Sequence, residues 1–224
     1  MTHREAGIND LPIEERERRI HGHGRRPNAE PLSPSGEPGA VARVSGMTEQ
    51  AARPPFLYVV VCAAGIAADV GQLIAAAQER GWDVGVIATP VAMNGFFDTA
   101  AVEARTGRPI RSAWRTPKEP RPFPAPDAVV VAPATFNTVN KWAAGIADTL
   151  ALGTLCEVAG LGVPIAVLPC VADALAAHPA YRDSLERLRG MGVRFGDPYA
   201  GEPDEAGGRR EFAWDRALDL VERG

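Results

Sequence analysis

FLYVVVC at 56–62 and DAVVVAP at 127–133 are unbroken apolar runs of strand length. A strand with one face in water alternates apolar and polar residues. A continuous run is what a strand buried on both faces requires, and parallel sheets covered by helices bury strands that way. Each run is followed by small or turn-forming residues and then by apolar residues at helical spacing. After the first come Ala63-Ala64-Gly65, then Ile66, Val70, Leu73, Ile74 and Ala77, with Gly81 as a stop. After the second, Val139, Trp142, Ile146, Leu150 and Gly153 mark one helix.

The same alternation runs through the rest of the chain. DVGVIAT (83–89) reads as a second buried strand ended by Pro90, and 93–106 as helical in part, closed by Gly107. PIRSAWR (109–115) reads as a strand near an edge, and TPKEPRPFPAP (116–126), with five prolines, as a loop. VPIAVLP (163–169) is a further strand. Pro179 opens a helix with Tyr181, Leu185 and Leu188 on one face, and GVRF (192–195) is a short last strand. A polar loop at 197–210 leads to a terminal helix carrying Trp214, Leu218 and Val221. Strand–helix alternation of this kind implies an α/β fold, a Rossmann-like (flavodoxin-like) doubly wound parallel sheet in a single domain.

Such a domain fits residues 56–224. Residues 1–55 differ: they hold no aromatic residue, seven Pro, six Gly, and eight Arg against eight Asp and Glu. That composition cannot bury enough apolar area to offset ordering entropy, so a disordered tail is expected, with Met47 as a candidate true start. IEERERRI (13–20) could form a short charged helix, and His21 and His23 could bind a metal only weakly; no metal site is expected.

The whole chain has 224 residues, 46% hydrophobic and 23% charged, with a net charge of −4. No basic patch is concentrated anywhere, which argues against nucleic acid as a partner. No apolar run reaches the ~20 residues of a membrane span, and no signal-peptide core opens the chain. Cys62, Cys156 and Cys170 show neither metal-ligand spacing nor a disulfide framework, so a cytoplasmic protein is expected.

In open α/β sheets ligands bind beyond the carboxyl ends of the strands, at a switch in strand order. Three loops qualify: 63–67, 133–138 and 169–178. The first is not a G-x-G-x-x-G fingerprint, which disfavours an ordinary nicotinamide-binding protein. Its small residues still allow backbone N–H groups to approach an anion, although tight packing explains them too. In the second loop, Thr135, Asn137 and Thr138 fall at a helix start, where hydroxyls and free N–H groups suit phosphate or carboxylate; simple capping accounts for one of them. Gly145, inside the expected helix, costs ~1 kcal/mol against Ala, which suggests close approach by another element, such as a neighbouring subunit.

The segment VVVAPATFNTVNKWAAGIADTL (129–150) closely resembles the shared motif of the homo-oligomeric flavin-containing cysteine decarboxylases, the phosphopantothenoylcysteine and lantibiotic peptidyl-cysteine decarboxylases. Pro133, Ala134, Thr135, Asn137 and Thr138 match, as do Lys141, Ala143, Gly145, Ile146, Asp148 and Leu150; Phe136 replaces the usual Ala. The likeness extends over about 56–224. It implies FMN as cofactor, held by Ala64, Gly65 and Ile66, by Thr89 and Ala92 of a T-x-x-A turn, and by Pro133, Ala134, Thr135 and Thr138. It implies a trimer or a multiple of one, with the flavin at a subunit interface. The implied reaction is oxidative decarboxylation of a C-terminal cysteine or a phosphopantothenoylcysteine-like substrate, with Asn137 holding a substrate carboxylate or amide.

Three departures stand out. The family's Met-Asn loop reads Pro169-Cys170-Val171-Ala172-Asp173-Ala174-Leu175 here, followed by His178-Pro179. The position of the family's His, several residues before the strand that leads into the Pro-Ala-Thr loop, falls near Glu119, and no His lies between Tyr58 and Ala177. The late substrate clamp shrinks to Gly207-Gly208-Arg209. His178 is the one histidine of the folded region, a helix-start residue or a base if it faced the flavin. Glu119 reads as a substitute base or a surface loop residue, and Cys170 as a functional thiol or a filler; Cys62 and Cys156 read as core. Trp142, Trp114 and Phe136 read as core or subunit contacts that could also stack on flavin. The alternative function is a non-catalytic flavin-binding or regulatory subunit of the same fold.

Overall fold

The computed structural model describes residues 53–200 and 211–222, all within a compact unit spanning Gln50–Gly224. The expected tail (1–55) thus lies outside the described residues except for 53–55, as does Gly207-Gly208-Arg209.

Strands β1 (Phe56–Val61), β2 (Asp83–Ala88), β3 (Ala128–Ala134), β4 (Ile165–Pro169) and β5 (Arg194–Phe195) form one parallel sheet in the order β2-β1-β3-β4-β5. This is the flavodoxin-like order, and the continuous apolar runs are buried on both faces as that topology demands. A 3-10 turn (Gly65–Asp69) leads into α1 (Val70–Glu79), and α2 (Thr99–Thr106) is capped by the Asp98 carboxylate and closed by Gly107 at φ 65°. Then follow α3 (Phe136–Ala143), α4 (Leu150–Gly160), the single turn α5 (Asp173–Ala176), α6 (Pro179–Gly190) and α7 (Asp215–Glu222). A small antiparallel pair, β6 (Tyr199–Ala200) and β7 (Glu211–Phe212), precedes α7.

Two apolar layers sandwich the sheet. One joins Leu57, Val59 and Val61 to α1 and α7 through Leu73, Ile74, Trp214 and Leu218. The other joins Phe56, Val60 and Cys62 to α3, α4 and α6 through Val139, Trp142, Leu155 and Leu188.

Two expectations are corrected. The strand at 109–115 contracts to a single parallel bridge between Arg111 and Ile87; with Pro109 at its start and polar residues beyond, it has no second buried face. The single helix expected across 139–153 is two helices. Gly145 adopts φ 73°, its N–H bonds to Trp142 O at 2.9 Å, and Ile146 N–H bonds back to Lys141 O at 2.9 Å. This is a Schellman closure, which needs a residue at positive φ. Among the described residues of this chain nothing approaches within 4 Å of a Cβ built on Gly145, so backbone conformation by itself accounts for its glycine.

Candidate functional site

Sheet order creates the site. The chain runs from β1 outward to β2, then returns to the other side of β1 for β3, so the switch lies between the carboxyl ends of β1 and β3. The ends are fastened side by side. Cys62 N–H donates to Pro133 O at 3.2 Å, Thr89 N–H to Val61 O at 2.9 Å, and Cys170 N–H to Ala134 O at 2.8 Å. The three sequence-predicted loops, and the Thr89 turn, therefore border one edge.

After β1 the backbone folds tightly, with Ala64 N–H to Cys62 O and Ala67 N–H to Ala64 O, both 2.9 Å. Ala64 is buried, while Gly65 is exposed and Ile66 half-buried. No acceptor among the described residues takes the N–H groups of Gly65 and Ile66. At the Thr89 turn, Ala92 N–H bonds to Thr89 O at 2.9 Å and Thr89 Oγ1 at 3.3 Å, and Ala92 is buried.

Beyond β3, whose Ala132–Pro133 peptide is cis, Pro133 and Ala134 are buried and Thr135 caps α3. Thr138 N–H donates to Thr135 Oγ1 at 3.4 Å, and the two hydroxyls lie 3.0 Å apart. The N–H groups of Phe136 and Asn137 have no acceptor among the described residues, and Asn137 projects into solvent at the second helical position. Two helical starts thus aim unpaired donors at the crevice, the arrangement that favours a phosphate or carboxylate. Beneath them Cys62 is fully buried. Burial pushes its thiol above the usual range, opposed by hydrogen bonds with Thr138 and Thr135.

The third loop places His178 at the N-cap of α6. Its Nδ1 accepts from Ala180 N–H at 3.1 Å, which requires that nitrogen to be unprotonated and leaves Nε2 as the donor of a neutral ring. The helix-start reading of His178 holds, and its geometry suits donation better than proton abstraction. Its ring meets Phe136 edge-on at 5.9 Å, and Phe136 stacks on Tyr181 at 5.7 Å, joining the second and third loops. Sequence reasoning missed this cluster; the one signal was a phenylalanine where a small residue is usual.

Other candidates lie elsewhere. Glu119 sits in an exposed turn, its carboxylate accepting from Thr116 N–H at 3.0 Å. Trp114 lies over Gly153 of α4, and Trp142 is core. Cys170 is half-buried at the end of β4, and Cys156 is half-buried on α4 rather than fully core. Among the described residues no group of acidic, His or Cys side chains could hold a metal, and no helix is long and apolar enough to cross a membrane.

Comparison with known proteins adds to this geometry. The coenzyme A biosynthesis bifunctional protein CoaBC of Thermococcus kodakarensis is 38% identical over 72 residues, which is 32% of this chain and 18% of that protein. The chain thus spans under a fifth of the length of that relative. Two solved structures share the fold. A PPC decarboxylase complexed with pantothenoylaminoethenethiol has a TM-score of 0.60 at 19% identity, over 77% of this chain and 100% of the other. The FMN-dependent cysteine decarboxylase SpaF has a TM-score of 0.57 at 22% identity, over 76% and 97%. The model of the Flavoprotein family matches residues 47–212, which takes in every strand of the sheet and the whole of the crevice. On that match the chain belongs to the Flavoprotein family.

Proposed function

We propose that the chain binds FMN in the crevice between β1 and β3 and uses it to decarboxylate a cysteine-terminated substrate, either a peptide or a phosphopantothenoylcysteine-like molecule. The observation that carries this reading is the pair of helical starts at the switch point, whose unpaired N–H groups at 65–66 and 136–137 suit an anionic cofactor. The donor set fits a flavin mononucleotide: N–H groups and small residues for close backbone approach, and the Thr135 and Thr138 hydroxyls 3.0 Å apart at the helix start. A bound flavin would supply the electron-accepting chemistry.

The chain's own residues bind and orient. Gly65 and Ile66 would donate backbone N–H groups from the first loop, and Thr89 and Ala92 would border the ring. Thr135 fixes the start of α3, which keeps the Asn137 amide at the crevice mouth. That amide can both donate and accept, so it suits a substrate carboxylate or amide. His178 would offer Nε2–H to the same substrate group. Assembly as a trimer or a multiple of one rests on the motif at 129–150, and a cytoplasmic location on three free thiols.

A second reading is favoured by one specific observation: the only histidine in the described residues has its Nδ1 committed to a helix cap. The chain would then bind flavin without catalysing, as a regulatory subunit. Purified protein titrated with FMN, FAD and riboflavin, followed by visible absorption, tests the cofactor; FMN should bind tightest. Carbon dioxide release from a cysteine-terminated peptide and from phosphopantothenoylcysteine separates the two readings.

A further inference from the structure

A second concavity of about 530 Å³ lies between α4 and the stretch 111–126, floored by Tyr58 and Ile87. Tyr58 is mid-strand and 123–126 precedes β3, so this cavity sits against one face of the sheet and shares none of the crevice residues named above. Its chemistry is specific. Arg111, Arg115 and Arg121 line it against one carboxylate, Glu157. None of the three guanidinium groups forms an ion pair among the described residues. Among the described residues Arg115 donates only to the carbonyls of Thr116 and Glu119, and Arg111 donates through Nη2 to Ala113 O at 3.4 Å while its Nε is buried with no hydrogen-bond partner. A buried charged donor left unpaired costs more than a neutral one, so an anion reaching Arg111 would remove that cost.

The walls are aromatic. The Trp114 ring is 60% exposed yet passes so close to α4 that a Cβ at Gly153 would overlap its ring carbons. Tyr58 is half-buried, its hydroxyl donating to Pro124 O at 2.8 Å, which leaves its ring as an apolar surface. An indole at the rim and a phenol ring at the floor suit a flat ligand, and guanidinium groups pair with carboxylate or phosphate in two-pronged fashion. The volume lies within the range of small-molecule sites.

We propose that this cavity is a binding site, separate from the flavin crevice, for a planar aromatic ligand bearing a carboxylate or phosphate. The site does not depend on the flavin reading. The test uses the full chain as purified with its flavin, with 2-naphthoate, 2-naphthyl phosphate and the neutral 2-naphthamide as probes in calorimetry. Both anions should bind with one site per chain, and the tighter of the two names the natural terminus. The amide should bind about tenfold more weakly, as loss of a charge-assisted contact implies. Arg121→Gln, at an exposed position, should weaken naphthoate by a similar factor while leaving the visible spectrum unchanged; Arg111→Gln should weaken it further. Equal binding of naphthoate and naphthamide overturns the proposal. So does an Arg121→Gln protein that binds naphthoate like the parent, or displacement of flavin mole for mole by the probe. Because flavin content and probe binding are read separately, failure of one proposal leaves the other standing.

Discussion

Lys141 Nζ lies 2.5 Å from Asp148 Oδ2, an ion pair that spans the turn at Gly145. The two residues belong to the motif shared with the cysteine decarboxylases, and the pairing gives them a structural role. They hold the exit of α3 against the entry of α4, where Thr149 caps the next helix through its hydroxyl to Leu152 N–H. Replacing the turn glycine and breaking the ion pair should have different costs. Gly145→Ala places a side chain at φ 73° and should lower stability by about 1–2 kcal/mol. Asp148→Asn breaks a half-exposed pair and should cost under about 1 kcal/mol. Urea denaturation of both variants checks the order; a larger loss for Asp148→Asn would mean the pair, not the backbone, closes the helix.

Gly153 faces the opposite requirement. A Cβ there would overlap the Trp114 ring at Cη2. Gly153→Ala should therefore displace the indole, seen as a red shift in tryptophan emission. In Gly153→Ala with Trp114→Ala the added methyl should be tolerated and even favourable, by about 1 kcal/mol of helix propensity. If the double variant is no more stable than Trp114→Ala alone, crowding is not what fixes this glycine.

The strand runs were legible because burial on both faces writes itself into composition: FLYVVVC and DAVVVAP can be little else. The meaning of the glycines was not. Gly145 and Gly153 lie in one apolar-periodic stretch, and periodicity cannot tell a glycine needed for positive φ from one needed for close approach. Close approach was expected at Gly145 and occurs at Gly153. In the site, the crevice loops and the Thr135 cap were readable from helix-start chemistry. The Phe136–His178–Tyr181 cluster was not, because it depends on how α6 docks beside α3. The same limit applies to Trp114, which reads from the sequence as a core or subunit contact that could stack on flavin and which tertiary structure places against α4.

Stability should fall at alkaline pH. Burial raises the Cys62 thiol above 9.0 and the Tyr58 and Tyr181 phenols above 10.0. Below those values each group is protonated in both folded and unfolded chains. As pH rises past 9.0, the unfolded chain releases the Cys62 proton first, so the folded state binds more protons and stability declines. Cys62→Ala should flatten the onset of that decline, leaving the part due to tyrosine. Melting temperatures between pH 7 and pH 11 provide the check; a Cys62→Ala profile that superimposes on the parent would assign the loss elsewhere.

His178 and Asn137 give opposite expectations. His178→Ala removes the acceptor for Ala180 N–H and should cost about 0.5–2 kcal/mol, the usual range for a lost helix cap. His178→Asn, which can still cap, should restore stability and any turnover if the residue acts through the helix start. Asn137 is exposed and makes no hydrogen bond through its side chain among the described residues, so its replacement should leave folding untouched. Asn137→Asp sets a carboxylate at the mouth of the crevice, against a substrate that brings its own. Like charges there should abolish carbon dioxide release while flavin content and melting temperature stay near the parent values. Asn137→Ser, neutral and shorter, should retain part of the activity. If Asn137→Asp turns over normally and His178→Asn does not, the substrate group is held from the third loop by Nε2, and the amide of α3 has no part in the reaction.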